Sequence, residues 1–188
     1  MELLFLFFPA SNLSYLAIES KRSFDNPHYS LDLFVHIYYH HGKINNKKSN
    51  TDIFMSIKPE HMRNIASRSK NHEYRSYLLP SNIQRIWFYT SSPVQCIEYV
   101  AHISQGKRPG DVPEDGGIGN IEFNESLKLS GYGYEILSLW KINEPISLKK
   151  AIEEGFLKGP PQKYCWVCLE FLEKYPLDQL NQLFSTVG

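Results

Sequence analysis

IFMSIKPEHMRNIASRSKNHEYR, residues 53–75, is the stretch that decides how this chain folds. Ile53–Lys58 reads as a compact strand. Pro59 follows at a first helical position and Glu60 places an acid in the first turn, both helix-start signals. Met62, Ile65 and Ala66 then fall at helical spacing on one face, with Arg63 and Arg68 off it, so the spacing predicts a helix that ends near Ser69. The next six residues hold Lys70, Glu73 and Arg75, two cations and one carboxylate, just where the chain passes into a second strand, Tyr74–Leu79. Side chains at such a hand-over from helix to sheet are placed to point into a cleft.

Working outward, Leu79-Pro80-Ser81-Asn82 stops the second strand, and Ile83–Tyr89 gives the strongest strand signal of the chain, bulky or β-branched at five positions. Trp87 and Tyr89 read as core in preference to a stacking platform. Thr90-Ser91-Ser92-Pro93 is turn material. In Val94–Ile103, Ile97, Tyr99, Ala101 and Ile103 alternate against Glu98 and His102, as in a half-buried strand. Residues 104–120 are too rich in Gly and Pro for regular structure, and a loop of that length inside a compact domain is expected to serve as a lid or binding loop. A short helix over Ile121–Lys128 and a strand over Tyr134–Ile142 follow. Ser147 is the expected N-cap of a helix that buries Leu148, Ala151 and Ile152 and ends at Gly155. Tyr164–Leu172 fits strand or helix, and Pro176 opens an expected last helix with Leu177, Leu180, Leu183 and Phe184 inward. The order of elements predicts an α+β fold, a small mixed β-barrel with flanking helices.

Upstream, residues 1–50 form an arm and linker, with apolar runs at Leu3–Phe8 and Leu31–Tyr39 and a polar, basic stretch over 42–50; residues 51–188 form the domain. Leu3–Phe8 is far shorter than the ~20 residues a bilayer span needs and lacks the basic start of a secretory signal. Three cysteines among 188 residues argue for a reducing compartment, so the expected address is cytoplasmic or nuclear with no membrane partner. Lys plus Arg and Asp plus Glu balance at 20 each, which excludes a protein that coats polyanions over its whole surface. Any nucleic-acid contact has to be local.

Met55-Ser56-Ile57-Lys58-Pro59, then Ser69-Lys70-Asn71-His72-Glu73-Tyr74-Arg75, then Ile86-Trp87-Phe88-Tyr89-Thr90-Ser91-Ser92-Pro93-Val94, in that order, resemble the ASCH domain, a branch of the PUA-like superfamily. Its signature is Gly-x-Lys-x-x-Glu-x-Arg after the first helix. Lys70, Glu73 and Arg75 match at the right spacing, and Arg68 stands at the Gly position. The resemblance covers roughly residues 53–142 and extends to the final helices. It implies a PUA-like barrel whose cleft is lined by the motif, and recognition of RNA or a nucleotide. Some members are amidohydrolases acting on acetylated cytidine; those carry Thr where this chain has Glu73.

A base-reading pocket needs donors and acceptors at the base edge and cations for phosphate. Glu73 suits an exocyclic amine, Lys70 and Arg75 a phosphate or carbonyl, Ser56, Ser91 and Ser92 adaptable hydrogen bonds, and Lys58 the positive rim. The partner expected is RNA or a modified nucleoside. Against this stands the plain reading, a solvated Lys-x-x-Glu pair worth ~0.3–0.5 kcal/mol. In the enzyme version Lys70 and Glu73 are catalytic, Lys70 stabilising an oxyanion or acting as base and Glu73 activating water, with Glu135 as a candidate second carboxylate. A third version is a protein-interaction domain without a ligand pocket. No cofactor or metal is expected: Cys165-x-x-Cys168 lacks a second ligand pair, His36 and His40 lack the surrounding Glu of a zinc motif, and the Gly loop near 116–119 lacks the Lys of a P-loop.

Overall fold

A computed structural model of the chain describes residues 47–186 and, in a separate unit, two short strands, β1 (Ala17–Glu19) and β2 (Phe34–His36), paired antiparallel. The expectations for Leu3–Phe8 and for 42–46 lie outside the described residues.

In the unit of residues 45–188, β3 (Lys48–Ile57) leads into α1 (Pro59–Ala66), β4 (His72–Arg75), β5 (Arg85–Thr90), β6 (Cys96–Ile103), α2 (Asn120–Asn124), β7 (Tyr132–Ser147), α3 (Leu148–Glu153), β8 (Cys165–Cys168), α4 (Leu169–Lys174) and β9 (Asn181–Ser185). The strand order is β4-β7-β6-β5-β3-β8, with β9 beside β7. Only β3 and β5 pair in parallel, because α1 and β4 carry the chain back between them; the other described pairs of this sheet are antiparallel. β4 and β3 stand far apart in that order, yet the Arg75 guanidinium on β4 donates through Nη2 to the Ser56 carbonyl on β3 at 2.7 Å. The sheet is therefore rolled into a half-barrel whose mouth is spanned by a side chain rather than a ladder. This is the mixed α+β barrel with flanking helices that the order of elements predicts.

Period-2 alternation between two covered faces explains why the Ile53–Ile57 part of β3 and the centre of β5 are largely apolar. Ile53, Met55, Ile57, Ile86 and Phe88 face the inside of the roll and pack with Met62 and Ile65 of α1. Phe54, Trp87 and Tyr89 face outward and form a second core with Ala151 of α3 and Phe171 of α4. Trp87 and Tyr89 are each 1 % exposed, so neither is a stacking platform. Trp87 also donates from Nε1 to Asp52, whose carboxylate takes the Arg85 fork at 2.6 and 2.8 Å.

Several boundaries differ from the sequence reading. β3 begins at Lys48, inside the stretch expected as linker, because Ser49 and Thr51 hydrogen-bond the buried Asp52 and Lys48 pairs with Cys168 of β8. The second strand ends at Arg75 rather than Leu79, since β7 offers partners only as far as Tyr132. Tyr164–Leu172 proves to be both candidates in succession, strand β8 and then helix α4. The last expected helix is a single 3₁₀ turn at Leu177–Gln179, after which β9 pairs with β7, Leu139 opposite Phe184. Ser147 caps α3 as expected, accepting from the Lys150 N–H.

Candidate functional site: a charged hollow at the barrel mouth

α1 runs from its Pro59 start to Ala66, and the backbone then turns sharply at Arg68, which adopts φ 64°. A left-handed residue is what a glycine accommodates at no cost, so Arg68 holds a backbone conformation that glycine would adopt without strain. The turn delivers Lys70 to the end of β4, and β4 presents Glu73 and Arg75 two residues apart, on one side of the strand.

These three side chains converge. Lys70 and Glu73 are buried, 5 % and 4 % exposed. Lys70 Nζ lies 3.5 Å from Glu73 Oε2, and Arg75 Nη2 lies 3.0 Å from Glu73 Oε1. The Lys70 ammonium also donates to the His72 carbonyl and sits 4.4 Å from the centre of the Tyr74 ring. Arg75 is further committed to Ser56 and, through Nε, to the Met55 sulfur at 3.0 Å. Glu73 Oε2 completes no hydrogen bond among the described residues, the contact to Lys70 being too long for one. Burial pushes the Lys70 pKa below the ordinary lysine value; Glu73 opposes this and Lys128 adds to it.

The group borders an open hollow of about 370 Å³, within the roughly 300–1,000 Å³ range of small-molecule sites. Ser56, Lys58, Lys70, Glu73, Arg75 and Ser91 of the sequence-based set line it; Ser92 does not. His61, Tyr74, Lys128 and Ser130 line it as well and were not expected. His61 follows from the helix start, two residues after Pro59. Lys128, whose Nζ lies 4.9 Å from the centre of the Tyr74 ring, stands at the end of the helix expected over Ile121–Lys128, but the helix observed stops at Asn124 and nothing local ties Lys128 to the hollow.

Two expectations need correction. No residue of the loop 106–119 lines the hollow, so that loop is not its lid. It is instead clasped to β4: Asn71 donates to both Asp115 oxygens at 2.9 and 2.8 Å, Asn120 donates to Asn71, Asp115 and the Pro113 carbonyl, and the Tyr74 hydroxyl donates to Asn120 at 2.6 Å. Glu135, the candidate second carboxylate, is paired with Lys107 at 2.7 Å and lies outside the lining. His72, 1 % exposed, is wedged between Asn71 and Lys107, and burial followed by the Lys107 charge lowers its pKa to about 4. Among the described residues no group of three or more His, Cys, Asp and Glu could hold a metal ion, and no helix is long and apolar enough to cross a membrane.

No protein-family model and no curated protein matches the chain. Among solved structures it is similar to the ASCH protein of Zymomonas mobilis, at 22% identity and TM-score 0.47 over 71% of this chain and 99% of that one. A single-residue variant of the same protein aligns at 21% identity and TM-score 0.48, over 70% of this chain and 99% of that one.

Proposed function

We propose that the hollow binds one nucleotide of an RNA or a nucleotide-type ligand. The observation that carries this reading is the Lys70–Glu73 pair, taken out of water at the wall of an open, nucleoside-scale hollow. A buried ion pair is a poor stabiliser, because desolvation cancels much of its attraction. Charged groups kept in a cleft at that cost are candidates for ligand recognition. Glu73 brings an acceptor to a base amine, while Lys70, with three donors and one carbonyl partner, has capacity left for a phosphate or carbonyl oxygen. Lys58 and Lys128 supply positive charge at the lining, and Ser56, Ser91 and Ser130 supply hydroxyls.

Binding is favoured over amide hydrolysis by the carboxylate count. Glu73 is held by Arg75, Glu135 is paired elsewhere, and no second carboxylate lines the hollow among the described residues. The buried carboxylate beside an amine of lowered pKa favours hydrolysis of a modified nucleoside as the second reading. An open, charged hollow speaks against an interaction domain that has lost its pocket.

The test is equilibrium binding of cytidine, its acetylated form and its monophosphate to the native chain and to Lys70→Ala, with product analysis of the same samples. The expected result is at least about a tenfold loss of retention, the cost of one charge-assisted hydrogen bond, with no product and the fold intact. Equal retention by both forms refutes the site; deacetylated product that depends on Lys70 replaces binding by catalysis.

A further inference from the structure

Beyond the hollow lies a larger cleft of about 920 Å³ at β8 and the 155–163 turn, to which the motif gives no role. Its charged lining is Lys48, Lys158 and Lys163, and it contains no acidic residue among the described ones. Lys48, Lys158 and Lys163 are exposed, while the rings of Tyr164 and Trp166 are half-buried in its wall. In a chain whose charges balance overall, a cleft whose charged lining is entirely cationic is a local field that selects a polyanion.

The two spaces share a wall. Ser56, which lines the hollow, donates from Oγ to the carbonyl of Pro161, which lines the cleft, at 2.6 Å. Two residues past Arg75 stands Tyr77, whose hydroxyl donates to the Lys163 carbonyl at 3.0 Å and whose ring lies 4.3 Å beneath the Lys163 ammonium. From Tyr77 to Tyr164 the ring centres are 6.1 Å apart, and from Tyr164 to Trp166 6.2 Å. From Tyr77, close in sequence to the Arg75 edge of the hollow, the Lys163 ammonium and the rings of Tyr164 and Trp166 thus lead on into the cleft. Positive charge tracking a backbone, interleaved with rings for bases, is the composition of a single-strand binding groove.

We infer that this cleft carries the neighbouring nucleotides of a single-stranded nucleic acid whose one base occupies the hollow, with Lys48, Lys158 and Lys163 on its phosphates and Tyr164 and Trp166 against its bases. The inference rests on the nucleotide reading of the hollow and deepens it, since it makes a strand, not a free nucleoside, the ligand. Its test is fluorescence anisotropy with a short labelled oligoribonucleotide, beside cytidine monophosphate binding, for the native chain, Lys158→Glu/Lys163→Glu and Lys70→Ala. Both lysines are exposed, so an unchanged thermal midpoint is expected of the double variant. That variant is expected to bind the oligonucleotide at least about tenfold more weakly, with a shallower salt dependence, and to bind the mononucleotide as the native chain does. Tyr164→Ala is expected to weaken the oligonucleotide without altering the salt slope. If the double variant holds the oligonucleotide as tightly as the native chain, the cleft assignment fails, whatever Lys70→Ala does. If Lys70→Ala leaves the mononucleotide untouched, the hollow fails instead, and the oligonucleotide data still decide the cleft. Displacement of the oligonucleotide by polyglutamate of equal charge and at equal concentration overturns the nucleic-acid assignment in favour of an acidic protein partner.

Discussion

Acidification is expected to weaken this fold through one residue, His72. The imidazole is 1 % exposed, its Nδ1 lies 2.9 Å from Asn71 Oδ1 and its Nε2 lies 3.4 Å from the Lys107 ammonium. The charged groups around it are Lys107, Glu135, Asp115 and Lys70; the two acids favour its protonation, but burial and Lys107 prevail and lower the pKa to about 4. In the unfolded chain the same group titrates near 6.5. Between those values the unfolded state binds the proton and the folded state does not, so stability rises with pH across the window and is lost as pH falls through it. From pH 7 to pH 5 the two values give a loss of about 2 kcal/mol, levelling off near about 3 kcal/mol below pH 4. Urea unfolding of the native chain and of His72→Gln at both pH values reads this directly. The variant sits lower at pH 7, having lost its packing, but its loss on acidification is expected to be smaller by about 2 kcal/mol. Equal losses for the two chains would refute the assignment of acid sensitivity to His72.

Three further outcomes follow from single positions. Arg68→Gly is expected to be more stable than Arg68→Ala by about 1 kcal/mol, because both lose the contact over the Phe184 ring while glycine alone relieves φ 64°; thermal midpoints in the reverse order would sink this. Asp52→Ala strands the Arg85 fork and the Trp87 N–H against the outer core and is expected to cost about 3 kcal/mol by chemical denaturation. Gly117→Ala drives a methyl into the Asn71 and Asn120 side chains, so the loop clasp should open. Faster amide exchange at Ile118, whose N–H is bonded to the Ser69 carbonyl, is the readout, and unchanged exchange counts against the clasp.

What the sequence discloses and what it withholds divide along locality. Pro59, Glu60 and the Met62–Ile65 face announce α1, and Ser147 announces α3, because caps and helical periodicity act within a turn or two. Lys70, Glu73 and Arg75 were legible for the same reason, as they sit on six consecutive residues. β9 was not. Leu177, Leu180 and Phe184 mimic a helical face, and only pairing with Leu139 and its neighbours on β7 makes that segment a strand. Lys128 reaches the hollow only through tertiary folding, and the doubly buried β5 reads as uniformly apolar because two cores claim its alternate residues. The Arg68 departure from the motif was visible as a change of residue, but its left-handed backbone was not.

The mouth of the roll is drawn together by Arg75, not sewn by backbone pairs. A drawstring made of charge responds to its surroundings as a ladder does not. Its pull on the Ser56 carbonyl and on Glu73 grows as water leaves, since attraction between charges strengthens when the local dielectric falls. Any guest that displaces solvent from the opening therefore tightens the very cord that closes around it.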